Sequence, residues 1–244
     1  MSRQFGNNIE ISAWNLHLAA DRERYEHDTH LLLNVDLYNG STVGRIVIET
    51  IWNIRGRNMR IQPFTEHSEN AEALGLDELD ATARGEPIRD VHGRPISGAG
   101  FGTGRGSSSV VRFSPGHHVY DLSRYFSGVK VARVQFDQSE VLLHEMCHGL
   151  RQMRGAITGR AMPNGLANDE EFFAILVTNI FSSQRNRPLL ANHGERLLSQ
   201  PESWLTSNLF QARIQRFREQ MPDFTNRMAQ VQARFNPFRD APAP

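Results

Sequence analysis

Ser139-Glu140-Val141-Leu142-Leu143-His144-Glu145-Met146-Cys147-His148-Gly149-Leu150-Arg151-Gln152-Met153 is the stretch whose reading decides the fold. Leu143, Met146, Cys147, Leu150 and Met153 recur at helical spacing, which predicts a helix with one core-facing stripe. Residues four apart on a helix share a face, so His144 and His148 project together, with Glu145 beside them. Two neutral imidazoles so placed can hold one zinc ion, and a carboxylate next to them can act as a general base. Asp137 or Ser139 can cap the start of the helix. Arg151 and Arg154 lie where the helix dipole favours cations, and Gly155 supplies a stop. Cys147 falls on the apolar stripe and reads as a packing residue rather than a ligand.

A catalytic zinc takes three protein ligands and leaves a fourth position to water. The third donor is sought in Asn168-Asp169-Glu170-Glu171-Phe172-Phe173-Ala174, which opens a second predicted helix over residues 168–181. Asn168 followed by Glu171 also resembles a capping box, a purely structural role. Ala174 and Thr178 share the face of Glu171, whereas Glu170 shares its face with Phe173, Val177 and Phe181. Glu171 is therefore the preferred ligand, with Glu170 as alternate or as the group that orients a histidine from behind. In this scheme Glu145 takes a proton from water and passes it to a leaving amine. His193 is the first candidate to stabilise an oxyanion, ahead of Tyr120, Tyr125 and Arg187.

Outward from these helices, residues 14–37 predict a helix closed by Asn39-Gly40-Ser41, and residues 44–51, alternating around Ile46 and Ile48, predict a strand. Met59 and Ile61 suggest a neighbouring strand, and residues 108–113 suggest another, read as the sheet edge that borders the cleft. The acidic residues 66–90 read as a helical or irregular insertion. Glycine at every second position from Gly98 to Gly106 does not make a dinucleotide fingerprint; it reads as a flexible loop, or alternatively as a mobile rim of the cleft. His117 and His118 read as loop residues. Two apolar stripes, Phe210-Ile214-Phe217-Met221 and Phe224-Met228-Val231-Phe235, predict packing helices separated at Pro222, and residues 239–244 read as a disordered tail.

The chain has 244 residues, 39% of them hydrophobic, enough for a sizeable core, and it is read as one domain over residues 1–244. Formal net charge is zero, so no global field recruits nucleic acid or an anionic membrane. Lys130 is the one lysine among 27 basic residues, the other 26 being arginine, a bias that a GC-rich genome explains. The single cysteine excludes an intrachain disulfide framework. No apolar run reaches about 18 residues and no basic-then-apolar leader opens the chain, so membrane insertion and a classical signal peptide are not expected.

LLHEMCHGLRQMRG, followed by NDEEFFAILVTNIFSSQRNRPLLANHG, resembles the zinc metallopeptidase effectors that bacteria deliver through contact-dependent secretion systems. The likeness covers about residues 139–194. In the related clostridial neurotoxin light chains a Glu-Glu pair also follows HExxH and its second Glu binds zinc, which supports Glu171, although the interval here is shorter. The resemblance implies an α+β zincin-like domain: a small sheet packed on the HExxH helix, with additional C-terminal helices. It implies a Zn2+ endopeptidase made in the bacterial cytoplasm and secreted or injected. Its partners would be a protein substrate in a host or rival cell and a secretion-system carrier or immunity protein. The alternatives are a zincin-fold binding module with structural zinc, and a zinc hydrolase of a non-peptide amide such as a cell-wall bond.

Overall fold

The computed structural model describes residues 2–64, 71–115, 137–162, 166–191 and 202–242. It is an α+β fold. Strands β1 (Ser2–Phe5), β2 (Ile9–Ser12), β3 (Met59–Gln62), β4 (Glu72–Gly75) and β5 (Ser109–Arg112) form one open sheet in the order β1-β2-β3-β5-β4. The parallel centre β2-β3-β5 carries an antiparallel strand at each edge. Strands β3 and β5 are where the β-branched runs predict them. β5, however, lies inside the sheet rather than at its border, because β4 emerges from the acidic insertion and pairs along it from Glu72–Arg112 to Gly75–Ser109. The edge is therefore β4, in a segment read as helical or irregular. The rest of that insertion includes the short α3 (Glu78–Ala81).

Helix α1 (Ala19–Leu31) runs on as a π-helical stretch over Leu32–Asn39, which ends at Gly40. Residues 44–51 are not a strand. They belong to α2 (Thr42–Trp52), whose start is capped by Ser41 Oγ accepting from the Gly44 amide at 3.2 Å. Val43, Ile46, Val47, Ile48 and Ile51 are all buried, so the helix is enclosed on several sides. The β-branched run mimics a strand, but Thr42, Arg45, Glu49 and Trp52, spaced three, four and three apart, form the outward face of a helix, and tertiary burial of the rest overrides the propensity.

The histidine-bearing helix is α4 (Gln138–Met153), and α5 (Asp169–Gln184) packs against it. Asp137 pairs with Arg185, Glu140 accepts from Ser182 Oγ at 2.6 Å, and Arg151 pairs with Glu170. The partners run in opposite order along the two helices, so α4 and α5 are antiparallel. β4 and β5 also touch α4, as does α2.

Beyond α6 (Glu202–Thr206), the two C-terminal stripes are core, as predicted. Phe210, Ile214 and Phe217 lie on α7 (Asn208–Gln220), and Phe224 and Met228 on α8 (Pro222–Ala229). Val231 and Phe235 are buried beyond it. The tail is docked rather than disordered through Ala241. α9 (Pro237–Asp240) follows Phe235, and Arg218 Nη2 donates to the carbonyls of Phe238 and Ala241 at 3.1 and 2.9 Å. The glycine run also departs from a loose loop. Cross-connections such as Gly85 N–H to Gly102 O at 2.9 Å hold it, and side chains at Gly102 or Gly106 would collide with backbone. None of its glycines lines the cleft described below. Among the described residues, no helix is long and apolar enough to cross a membrane.

Gly44 separates two opposing effects. Alanine exceeds glycine in a helix interior by about 1 kcal/mol. A Cβ at Gly44 would stand 2.5 Å from the backbone oxygen of Leu37, however, and overpacking costs about 1–3 kcal/mol. Gly44→Ala is expected to destabilise the fold by about 1 kcal/mol in denaturant titration, reversing the sign that helix propensity alone gives.

Candidate metal centre

Asp137 caps α4, accepting from the Ser139 amide at 3.0 Å and its hydroxyl at 2.6 Å. One face of the helix then brings His144 Nε2 and His148 Nε2 to 3.1 Å from each other. On α5, Asn168 Oδ1 accepts from the amides of Glu170 and Glu171 at 3.0 and 3.1 Å. Half of the expected capping box is therefore present. The Glu171 carboxylate is used elsewhere, with Oε2 3.3 Å from His144 Nε2 and Oε1 3.4 Å from His148 Nε2.

These separations allow a simple test of fit. A tetrahedral ion with bonds of about 2.0–2.1 Å has donor–donor edges of about 3.3–3.4 Å. The two His–carboxylate separations match that value and the His–His separation is slightly shorter, but the carboxylate contacts use different oxygens of Glu171; His144, His148 and Glu171 thus converge closely enough to hold a metal ion without defining one tetrahedral face. Cys147 is outside the group; it is fully buried, and burial, with the Glu145 charge adding to it, pushes its thiol pKa far up. It packs, as the apolar stripe implies.

Electrostatics favour a cation at this point. Burial by itself would depress the His148 imidazole. The facing Glu171 carboxylate, with smaller contributions from Glu145 and Glu170, overrides burial and pushes its pKa up to about 9. The group thus attracts positive charge, supplied by a proton when no ion is present. Deprotonated imidazole is the form that ligates metal.

Glu170 does not orient a histidine. Its Oε2 accepts from Arg151 Nε, and its Oε1 accepts from Arg151 Nη2 and the Thr158 amide, each at 2.9 Å. Arg187 is held at the first turn of α4 by Asp137 at 2.5 Å and Glu140 at 3.3 Å. His193, Tyr120, Tyr125, His117 and His118 lie outside the described residues.

Glu145, His148 and Glu171 open onto a cleft of about 610 Å3 lined also by residues 71–75, 89–91 and 157–159. The presence of residues 71–75 makes the edge strand β4 one wall. Sequence reading missed this wall, because four residues, EALG, carry no alternation strong enough to mark a strand. It also passed over Gln152, one turn beyond His148, whose Nε2 donates to Ala73 O at 2.9 Å and whose Oε1 accepts from Ser109 Oγ at 2.6 Å. The spacing His148-x-x-x-Gln152 was the available signal. The chain matches no protein-family model, and no curated protein is significantly similar to it.

After equilibration with a divalent transition metal and removal of the excess, the wild-type protein is expected to retain one ion per chain. Glu171→Ala should remain folded but retain none. Elemental analysis beside a circular-dichroism spectrum checks this, and a Glu171→Ala protein that still holds one ion removes Glu171 from the ligand set.

Proposed function

We propose that the chain is a zinc-dependent endopeptidase with a zincin-like arrangement, acting as a secreted bacterial effector or toxin on a protein in a host or rival cell. The observation that carries this reading is the convergence of His144, His148 and Glu171 to 3.1–3.4 Å, with Glu145 on the same cleft. Zinc is favoured over harder cations by the two-imidazole, one-carboxylate donor set. When bound there, it would polarise a carbonyl and lower the pKa of a water.

The residues of the chain supply the rest. Glu145 is 6% exposed, follows His144 directly, and reaches the cleft without belonging to the ligand group. Its carboxylate accepts the proton of the attacking water and delivers it to the departing amine nitrogen. A base in that position has no use around an ion that serves only the fold, which favours an enzyme over a binding module.

The wall β4 supports a polypeptide as substrate. The Leu76 amide donates inward to Ser108 O at 2.9 Å, so the two-residue period turns Glu72 and Leu74 inward and Ala73 and Gly75 outward; the Ala73 carbonyl is taken by Gln152 Nε2 at 2.9 Å, which leaves the Ala73 N–H and the Gly75 backbone for a peptide. An extended peptide can pair with such an edge through main-chain hydrogen bonds, without one required side-chain sequence. Delivery into another cell rests on the likeness of the HExxH and Glu-Glu-Phe helices to secreted effectors.

Glu145→Gln tests the reading. It should keep the fold and the ion and lose about 10²–10⁴-fold in cleavage rate. New protein N-termini should arise in target cells that express the wild type and not in those that express Glu145→Gln; the same experiment names the substrate. Equal sets of N-termini from both proteins would refute the peptidase proposal.

A further inference from the structure

Arg151 is a fully buried cation of α4, three residues beyond His148. Nε donates to Glu170 Oε2, while Nη2 reaches Glu170 Oε1 at 2.9 Å, Ala156 O at 2.5 Å and Gln220 Oε1 at 3.1 Å. Its guanidinium carbon lies 4.9 and 5.1 Å from the ring centres of Phe173 and Phe217. One side chain thus joins α4, the segment after it, α5 and α7.

Stability alone is a poor account of this arrangement. The desolvation of two charges offsets much of their attraction, and buried ion pairs can often be replaced by apolar residues of similar volume without loss. What the pair does impose is geometry. Adjacent residues on a helix point about 100° apart, so clamping the Glu170 carboxylate sets the direction in which Glu171 leaves α5. Arginine presents a rigid planar fork, which fixes both the rotation and the height of its partner in a way a point charge does not. Thr158 N–H at 2.9 Å on Glu170 Oε1, Thr158 Oγ1 at 2.6 Å on Asp169 Oδ2 and the Arg160 amide at 2.7 Å on Asp169 Oδ1 brace the same first turn.

We propose that Arg151 is a positioning residue for the metal centre: its two-pronged contact with Glu170 fixes the register of α5 on α4 at which Glu171 meets His144 and His148. The inference rests on the metal-binding reading above. The pair acts on the ion without touching it, and its removal should weaken metal binding more than folding.

The test uses Arg151→Met/Glu170→Met, which removes both charges together and leaves the local net charge unchanged, and Arg151→Lys, which keeps the charge but loses the fork. Zinc affinity is read by competition with a chelator, coordination geometry by the visible spectrum of the cobalt(II)-loaded protein, and stability by thermal unfolding without metal. The double variant should unfold cooperatively near the wild-type temperature, bind zinc about 10–100-fold more weakly and show altered cobalt bands. Arg151→Lys should fall between it and the wild type in affinity. Wild-type affinity and cobalt spectrum in a folded double variant overturn the proposal. So does wild-type affinity in Arg151→Lys, which would assign the effect to charge alone. A double variant that cannot fold assigns the pair to stability and overturns it too. A wild-type protein that binds no zinc is a different failure, because it removes the metal reading itself.

Discussion

Three donors taken from two helices can share one ion only if those helices hold a fixed register. Tolerances of a few tenths of an ångström separate ligation from a mere cluster of polar groups. Here the antiparallel contact of α4 and α5 is pinned at both ends. At one end Asp137 meets Arg185, whose guanidinium stacks over Phe181 at 4.0 Å, while Glu140 accepts from Ser182. At the other, Arg151 grips Glu170. Between them the apolar stripe of α4, Leu143, Met146, Cys147 and Leu150, is fully buried. Hydrophobic packing brings the helices together but tolerates sliding; the directional contacts at each end do not.

The same contacts explain how two neighbouring glutamates acquire different chemistry. Glu170 faces a buried guanidinium and the amides of Thr158 and Gly159, so its charge is matched inside the protein. Glu171 faces two imidazoles instead. With Glu170 engaged by Arg151, the Glu171 carboxylate stays beside the two histidines, where its charge favours a cation. The raised pKa of His148 reports that demand. Environment rather than residue type assigns the roles, which is why two adjacent carboxylates need not compete for one ion.

How much of this was legible in the sequence follows from the range of each interaction. His144, His148, the Asp137 and Asn168 caps and the extent of both helices depend on contacts within a few residues, and the 3.6-residue period exposes them. The choice of Glu171 over Glu170 was readable from the apolar company each keeps on its helix face. Residues 44–51 misled because β-branched residues dominate them, although Thr42, Arg45 and Glu49, spaced three and four apart, mark the outward face of a helix. β4 was hidden because its strand character comes from pairing with β5, nearly forty residues away in sequence, rather than from its own composition. Arg151 looked like a dipole-favoured cation at a helix end. Nothing local indicates that α7 and α5 close over it.

That closure gives the C-terminal helices a part in the site. Phe210 and Phe217 of α7 pack on Phe172, and Phe217 and Phe224 pack on Phe173, so the aromatic pair that follows Glu171 is seated by residues about forty to fifty positions later. Gln220 adds a hydrogen bond to Arg151, and Met221 Sδ lies 3.9 Å from its Nη1. Helices whose stripes read only as core therefore form the back wall of the metal centre. They pack on both α5 and Arg151 of α4, while β4 lines the cleft. The candidate ion site is thus built where α4 and α5 pack together, and the edge strand β4 lines the cleft beside it. Under the proposed hydrolysis that division is useful, because the donors must not move while a polypeptide enters and leaves.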